Sequence, residues 1–330
     1  MSGYVVGVDG GNTKTDYLLF STDGRLAGHI RDGSCSHEHV GYEKAIEIIK
    51  RNIGRLLEKN NLTLADLKAG AFGLAGMDNH EQHARLNELL KTIGLPRFEA
   101  DNDSFLGITG GTSKGYGICS INGTGTVSGG VDPRGNRLQV GGIGPLSGDD
   151  AGGSYIAHCG IRAVYDSFYR CGKPTIMAKP TSKLLGITSP QEIFYAIGTQ
   201  ERKLGSTAMT RIVFSAAKKK DAPALEILCE SARQLAKTSA GCVRGLRFDE
   251  EVEVVLAGSV WVKAESDELF NFYKSHMAAL LPEKKLKYKI LKEPPAMGAV
   301  LWALSLCGVD CYSEEIKGRV AAEVAKLGEL

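Results

Sequence analysis

This 330-residue sequence has neither a large excess of charge of one sign nor a long apolar run. The formal net charge is +2, which is too small to hold a polyanion such as nucleic acid. No apolar run approaches the roughly 20 residues that span a bilayer, and Asp9 interrupts the run nearest the N-terminus, so we expect no secretory signal. We therefore expect a cytoplasmic protein with no nucleic acid and no membrane among its partners.

The sequence also lacks paired cysteines and the two best-known nucleotide fingerprints. Its eight cysteines show no C-x-x-C spacing, and Cys307 and Cys311, four residues apart, are too few for a metal site. Reduced thiols are the expectation in a cytosolic chain. Neither GxxxxGK[ST] nor GxGxxG occurs, which excludes P-loop and Rossmann nucleotide sites. The length suffices for two domains with separate cores.

The most informative stretch that is present is a Gly-rich polar turn, Gly10 to Thr15, between two apolar runs. This pattern predicts a β-hairpin, and the successive free N–H groups of such a turn form a concavity that suits phosphate oxygens. Thr13 and Thr15 add hydroxyls, and Asp9, at the end of the first strand, can hold Mg²⁺ through water. A plain hairpin turn is the alternative for this stretch taken alone.

A second Gly/Thr turn, Asn122 to Thr126, again joins two apolar strands. Each half of the chain is therefore headed by a strand, a candidate phosphate turn and another strand, which indicates an internal duplication of the site. Helical periodicity follows the strands in both halves, and in the first half it predicts an amphipathic helix from Tyr42 to Lys59. The predicted elements in the second half include an irregular segment at 171–189 and helices at 191–202, 207–219 and 223–245.

On these two turns the sequence resembles the sugar kinase/Hsp70/actin superfamily of ATPases. Within it, the chain resembles the N-acetylglucosamine kinase branch that is grouped with the BadF/BadG/BcrA/BcrD ATPases. The resemblance implies an α/β protein with a duplicated ribonuclease-H-like (actin-like ATPase) fold, whose two domains flank a nucleotide cleft. Because the last helix of this family returns to the first domain, the expected domains are 1–114 plus 296–330 and 115–295. A homodimer is also expected.

The resemblance further implies an ATP site with Mg²⁺. Thr13 is expected to contact the phosphates from the first turn and Thr124 from the second, with Asp9 near the metal. Ala257 to Trp261 is similar to the family's adenosine segment, in which Gly258 lets the nucleoside lie against the backbone. The residues expected to bind the nucleotide are Gly10, Gly11, Asn12, Thr13, Lys14, Gly123, Thr124, Gly125, Gly258 and Ser259.

Phosphoryl transfer to an alcohol needs a carboxylate within reach of the hydroxyl. The resemblance implies that Asp103, in an Asn-Asp pair after a strand, is this catalytic group, and Asp101 is the alternative. Asp149 resembles the sugar-binding Asp of the family's Gly-Asp-Glu-Gly-Ser loop, although Asp150 replaces the Glu here. The residues expected to bind the sugar are Ser36, Gly76, Asp103, Gly142 and Asp149.

One departure from the family concerns the sugar itself. The family places an asparagine in the loop before the first long helix, where this chain has Ser36. A serine offers one hydroxyl in place of an amide. N-acetylglucosamine, glucosamine, another amino sugar and a related hexose therefore all stay open as substrates.

The sequence thus predicts an ATP-dependent kinase that phosphorylates a hydroxyl of an amino sugar such as N-acetylglucosamine or glucosamine. One alternative is an iron–sulfur activator of a 2-hydroxyacyl-CoA dehydratase or benzoyl-CoA reductase, which would need cysteines for a [4Fe–4S] cluster. Such activators typically carry a Gly-Gly-Gln-Asp turn, where this chain has Asn-Gly-Thr-Gly-Thr. The other alternative is a sugar- or nucleotide-sensing regulator of the kinase-repressor type. Such regulators usually add a DNA-binding helix-turn-helix, whereas this sequence begins at the first strand.

Overall fold

Two five-stranded sheets organise the computed structural model, which describes residues 3–199 and 207–328. The strands are β1 (Tyr4–Gly10), β2 (Lys14–Ser21), β3 (Leu26–Gly33), β4 (Leu67–Leu74), β5 (Phe98–Asp101), β6 (Gly117–Asn122), β7 (Thr126–Val131), β8 (Arg137–Gly141), β9 (Glu251–Ala257) and β10 (Lys285–Ile290). The first sheet has the order β3-β2-β1-β4-β5 and the second the order β10-β9-β6-β7-β8.

The two sheets share one topology. In the first, β1 to β3 form an antiparallel meander, and β4 and β5 join it in parallel with β1. In the second, β6 to β8 form the meander, and β9 and β10 join it in parallel with β6. This repeat confirms the duplicated α/β fold that the sequence predicts.

Thirteen α-helices lie within the described residues. They are α1 (His37–Val40), α2 (Tyr42–Lys59), α3 (His80–Lys91), α4 (Leu106–Gly111), α5 (Gly153–Tyr169), α6 (Ala178–Leu185), α7 (Ile193–Thr199), α8 (Thr207–Lys218), α9 (Ala222–Gly245), α10 (Ser259–Val262), α11 (Glu268–Leu280), α12 (Pro295–Leu306) and α13 (Glu314–Ala325). None of these described helices is long and apolar enough to cross a bilayer.

Helices cover both faces of the first sheet. The apolar stripe of α2, with Ile46, Ile49 and Ile53, packs with α3 on one face. The C-terminal helices α12 and α13 pack on the opposite face, against Val5 and Phe20 among others. The two ends of the chain therefore share one core.

In the second sheet, one face packs against the 24-residue helix α9 and its neighbours α5, α8 and α11. The other face receives α4 and the turn before it, where Phe105 and Ile108 contact Cys119 and Val255. Helix α4 also packs against α12. It therefore connects the two sheets, and the domain boundary predicted at 114/115 falls shortly after its end at Gly111.

The close approach of α12 to α4 depends on one glycine. A Cβ placed on Gly298 would overlap the carbonyl of Leu106, which is backbone and cannot swing aside. The C-terminal helices thus return to the first sheet, as the family resemblance implies. The domain limits 1–114 plus 296–330 and 115–295 remain a prediction.

The structure differs from the sequence-based expectations in the connection after α5. The segment 171–189 was expected to be irregular, but it contains α6. Pro180 occupies the first turn of α6, where a missing N–H costs little, and Gly186 closes the helix in the left-handed conformation. The helix expected at 191–202 starts at Ile193, and its predicted end lies outside the described residues.

Candidate active site

The first turn joins β1 and β2 and presents its tip to solvent. One hydrogen bond closes it, from the N–H of Gly11 to the carbonyl of Lys14 at 3.0 Å. The exposed residues at the tip are Asn12, Thr13 and Lys14. Thr15 is buried instead, and its hydroxyl accepts from the N–H of Cys35 at 3.1 Å. Thr13 can therefore reach a ligand, whereas Thr15 holds the loop that follows β3.

The second turn joins β6 and β7 and is tied to the start of α5. Its backbone closes from the N–H of Gly123 to the carbonyl of Gly125 at 3.0 Å. The carbonyls of Gly123 and Thr124 accept from the N–H groups of Gly153 and Ser154 at 2.8 and 3.2 Å. Thr124 and Gly125 stay exposed. The turn is thus held by the first residues of α5, while its tip is exposed to solvent.

A cleft with about 100 Å³ of accessible volume opens beside the second turn. It brings Gly123 and Thr124 together with Ser259 and the start of α5. One wall belongs to α8, whose contributing residues include Thr210, Arg211 and Phe214. The sequence analysis missed this wall, because α8 carries no motif beyond its apolar periodicity. The first-turn residues, all of them described, do not line this cleft.

Gly258 is required by packing whether or not a nucleoside lies against it. Its φ is +99°, in a region that other residues avoid. A Cβ there would also lie 2.5 Å from the carbonyl oxygen of Asn122. This position therefore brings the end of β9 against the end of β6, beside the second turn.

Asp9 is a partly exposed carboxylate near the end of β1, next to the buried Gly10. Burial raises its pKa to about 7, and the negative charges of Asp103 and Asp16 act in the same direction. The positive charges of Lys14 and Arg31 oppose them. A carboxylate in this environment gains by having a cation beside it.

Asp16 lies directly opposite Asp9 across the β1–β2 pair and has its own cations. Nε2 of His29 lies 2.9 Å from its carboxylate, and Nε of Arg31 donates to it at 2.8 Å. Burial opposes ionisation, but these hydrogen bonds outweigh burial and lower the pKa of Asp16 to about 2. No role was predicted for Asp16. The sequence signal that could have indicated this ion cluster is the pattern of charged residues two apart, at 14 and 16 on β2 and at 29 and 31 on β3.

Asp103 begins the short 3₁₀ turn that leads from β5 into α4. Burial raises its pKa to about 6, and the charge of Asp78 raises it further, while the backbone N–H of Ser104 acts in the opposite direction. Within residues 3–199 and 207–328, no ion pair reaches it. A carboxylate with a pKa near the working pH and no cationic partner is suited to accept a proton.

Asp101, the alternative base, is already engaged. Nη1 of Arg137 donates to one of its oxygens at 2.6 Å, and the N–H of Asn102 donates to the other at 2.8 Å. Nε2 of His83 lies 3.5 Å away. Asp101 is also only 7% exposed. Asp101 is therefore tied to the second sheet and to its own loop, whereas none of the described side chains forms an ion pair with Asp103.

The side chain of Asn102 holds the loop that carries Asp103. Its carbonyl oxygen accepts from the N–H of Ser104 at 2.9 Å, and its amide donates to Asp78 at 2.9 Å. The same oxygen of Asp78 accepts from Nε2 of Gln139 at 2.7 Å. The sequence analysis missed Asn102, Asp78 and Gln139 as a network, because residues so distant in the chain meet only in the folded molecule.

Two of the residues expected to bind sugar have buried polar atoms with no hydrogen-bond partner among the described residues. Ser36 is 2% exposed, and its Oγ is unpaired. Oδ2 of Asp149 accepts from the N–H of Gly144 at 2.6 Å, but its Oδ1 is unpaired. Gly142 is exposed in the same loop, and Gly76 lies against α1, the one-turn helix after Ser36. Unpaired buried oxygens indicate positions where a water or a ligand donates.

A family model extends the resemblance to nearly the whole chain. The model of the BadF/BadG/BcrA/BcrD ATPase family matches residues 6–303. The chain belongs to the BadF/BadG/BcrA/BcrD ATPase family. Membership of an ATPase family implies a nucleotide ligand, as the two turns do.

Curated relatives agree over their full length. The chain is 28% identical over 308 residues to an N-acetylmuramic acid/N-acetylglucosamine kinase of Clostridium acetobutylicum, covering 92% of this chain and 99% of the relative. It is 25% identical over 319 residues to an N-acetyl-D-glucosamine kinase of Dictyostelium discoideum, covering 91% and 97%. Both relatives carry the name of sugar kinases.

Solved structures share the fold. A candidate N-acetylglucosamine kinase from Chromobacterium violaceum superposes with a TM-score of 0.62 at 20% identity, covering 91% of this chain and 98% of that one. A ROK family glucokinase from Streptomyces griseus, solved with glucose and AMPPNP, superposes with a TM-score of 0.55 at 17% identity, covering 92% and 100%. At these identities the likeness establishes the architecture alone.

Proposed function

We propose that this BadF/BadG/BcrA/BcrD family member transfers the γ-phosphoryl group of ATP to a hydroxyl of an amino sugar such as N-acetylglucosamine or glucosamine. The observation that carries the proposal is Asp103, a carboxylate between the two halves of the molecule that forms no ion pair within the described part of the chain. Its neighbour Asp101 is held by Arg137. The names of both curated relatives favour phosphoryl transfer over the iron–sulfur activator.

The nucleotide is proposed to lie between the two turns. Phosphoryl transfer depends on positioning and charge stabilisation more than on covalent chemistry, and Gly/Thr turns supply N–H and hydroxyl donors for that purpose. The first turn would contribute Gly10 to Lys14 and the second Gly123 to Gly125. The cleft beside Ser259 then takes the nucleoside, with Gly258 at its edge.

Mg²⁺ is proposed to lie beside Asp9. Among the described residues, no group of three or more His, Cys, Asp or Glu side chains gathers as a metal site, so the protein alone does not form a cage. Mg²⁺ commonly takes one or two carboxylates and completes its coordination with water and phosphate oxygens. The raised pKa of Asp9 fits a carboxylate that such a cation would stabilise. When bound, the ion would neutralise the phosphate charge.

Asp103 is proposed to accept the proton of the attacking sugar hydroxyl. The network through Asn102 keeps its loop in place, so the carboxylate is aimed before the substrate arrives. Burial makes the group a stronger base than an exposed carboxylate, because burial disfavours the ionised form. Asp103 accepts the proton as the hydroxyl oxygen bonds to the γ-phosphorus and ADP departs.

The sugar is proposed to contact Ser36, Gly76, Gly142 and Asp149 in addition to Asp103. The unpaired oxygens of Ser36 and Asp149 supply the support, because sugar hydroxyls are donors. Ser36 carries no amide, so an N-acetyl group is not required by this side chain. We keep both N-acetylglucosamine and glucosamine as candidate substrates.

A kinase assay over a sugar panel tests the proposal. Wild-type protein should release ADP in step with sugar phosphate for at least one amino sugar. Asp103→Asn should lower kcat by about 10²–10⁴-fold, the usual contribution of a general base, while Asp101→Asn should be much milder. Phosphorylation of no sugar in the panel would refute the function, and loss of turnover in Asp101→Asn alone would refute the choice of base.

We also propose the finer assignments that the sequence predicts for the whole protein: a cytoplasmic homodimer without nucleic-acid or membrane partners, divided into domains at 114/115 and 295/296. The packing of α12 and α13 on the first sheet supports the division. Light scattering on the purified protein measures the oligomeric state. A monomer at micromolar concentration would contradict the dimer.

A further inference from the structure

Arg137, at the start of β8, reaches from the second sheet to acids and aromatic rings of the first half, including Phe105, whose ring centroid lies 5.6 Å from the guanidinium. Its Nη1 donates to Asp101 at 2.6 Å and its Nη2 to Glu99 at 3.4 Å. Its guanidinium lies 4.8 Å from the ring centroid of Trp302, and Nε1 of Trp302 donates to Glu99 at 2.9 Å. The planar guanidinium group of arginine can pair with carboxylates and stack on an aromatic ring at the same time, which the ammonium group of lysine cannot do.

Gln139 makes a second crossing contact from the same strand. It lies two residues beyond Arg137, on the same side of β8, and donates to Asp78 at 2.7 Å. Asn102 donates to both acids, through its N–H to Asp101 and through its side-chain amide to Asp78. We name the pair of contacts, Arg137 to Asp101 and Gln139 to Asp78, the β8 clasp. The clasp holds Asn102 from two sides.

We propose that Arg137 is a positioning residue that makes the aim of Asp103 depend on the closure of the two halves. The inference rests on the proposed function, because it concerns the base of that reaction. If β8 moves away from the first sheet, both clasp contacts break together, and Asn102 loses the support of its two acids. Asp103, the next residue, is then free to turn from its position. The base is aimed only when the halves are closed, which keeps chemistry from starting in an open, wet cleft.

Kinetics of Arg137→Gln and Arg137→Lys test the clasp. Both variants should lose roughly 10-fold in kcat, less than the 10²-fold that a 1 Å misplacement can cost, with the KM for ATP nearly unchanged. The ratio of ADP to sugar phosphate should rise, because hydrolysis by water does not need the aimed base. Arg134→Gln, an exposed arginine in the turn before β8, is the matched control and should behave as wild type.

A double-mutant cycle separates positioning from a general structural effect. If Arg137 acts through Asp101, the Arg137→Gln/Asp101→Asn double variant should be no slower than the slower single variant. Protonation of Asp103 should make kcat/KM fall at acid pH. In Arg137→Gln this fall should occur at the same pH as in wild type, since the base itself is unchanged. Multiplying effects in the double variant, or wild-type kcat in Arg137→Gln, would overturn the proposal.

Fluorescence of Trp302 gives a readout that does not depend on turnover. Trp302 and Trp261 are the two tryptophans of the sequence, so a Trp261→Phe background leaves Trp302 alone. Arg137→Gln should make Trp302 more accessible to acrylamide, with Arg134→Gln again unchanged and thermal unfolding confirming that each variant folds. Unchanged quenching would overturn the clasp. If no sugar is phosphorylated by wild type, the proposed function fails and the clasp is judged by this measurement.

Discussion

At the scale of single residues, burial and partners divide the acids around the candidate site into three kinds. Asp16 is buried with cations and has a lowered pKa. Asp101 is buried and paired with Arg137. Asp9 and Asp103 are desolvated beside other acids, and the pKa of each is raised. Binding a cation or a proton stabilises an acid of the third kind. These acids are therefore the candidates for metal binding and for catalysis.

The raised pKa of Asp103 predicts an acid limb in the rate profile. A general base must be ionised, so kcat/KM should fall as the pH drops through about 6, the pKa to which burial raises this carboxyl. Asp78→Asn removes the negative charge that raises this pKa further, so the limb should move to lower pH. Rates measured from pH 5 to 8 check this. A limb that moves to higher pH in Asp78→Asn would contradict the electrostatic assignment.

Ser36 predicts a change in sugar preference. Ser36→Asn restores the amide that the family places in this loop, and it should shift the relative kcat/KM towards N-acetylhexosamines over glucosamine. The buried, unpaired hydroxyl supports a position in the pocket. Ser275→Asn, at an exposed serine of α11 whose hydroxyl donates to the carbonyl of Asn271, serves as control. Identical ratios across the sugar panel in Ser36→Asn would place Ser36 outside the pocket.

At the scale of elements, the two hairpin turns occupy matching positions in the two sheets. Each lies between the first two strands of a meander, so the duplicated topology gives both turns the same place in their sheets. They differ in support: the second turn is braced by α5, whereas the first holds the loop after β3 through Thr15. The second turn also lines the cleft beside Ser259.

Removing either hydroxyl should weaken nucleotide use. Thr13→Ala and Thr124→Val each delete one exposed donor, and a hydrogen bond to a charged group is worth about 1.5–3 kcal/mol, so kcat/KM for ATP should fall by roughly 10- to 150-fold. Thr63→Ala removes a hydroxyl that only pairs with Asp66, and its ATP kinetics should match wild type. Unchanged ATP kinetics in both turn variants would count against the site.

At the scale of the whole molecule, the two halves are joined through α4 and α12. Helix α4 packs on the second sheet, α12 packs on the first, and the two helices meet at Gly298. The connection is apolar and close, whereas the β8 clasp consists of polar contacts.

Gly298→Ala should destabilise the whole protein. The added methyl must displace the backbone at Leu106, an overpacking cost of about 1–3 kcal/mol, which corresponds to a Tm lower by roughly 2–4 °C per kcal/mol. Gly318→Ala in α13 is the matched control, because nothing lies within 4 Å of its added methyl. A helical glycine replaced by alanine in open space should instead gain about 0.5–1 kcal/mol. Equal Tm values for the two variants would contradict the close joint.

Sequence patterns were sufficient wherever the determinant is local. The Gly/Thr turns between apolar runs predicted both hairpins, and the apolar spacing of Tyr42 to Lys59 predicted α2, because turn geometry and helical periodicity depend on neighbouring residues. The same local patterns carried the family resemblance and the choice of Asp103 as candidate base. The prediction that 171–189 is irregular was wrong. Helix α6 forms there because residues such as Thr181 and Leu185 are buried in the fold, and the Pro- and Ser-containing sequence gives no local sign of that burial.

Only the tertiary structure decided the partners of the site residues. Asp101 and Asp103 are both acids at a strand end, and only the resemblance of Asn102-Asp103 to the family's Asn-Asp pair distinguishes them in the sequence. They differ because Arg137 approaches one of them from the other sheet. The sequence assigned Gly258 to a nucleoside contact. The fold shows in addition that its backbone packs closely against the carbonyl of Asn122. Such partners lie far apart along the chain and meet through packing, so their electrostatics, burial and strain are properties of the fold and are absent from any stretch of sequence.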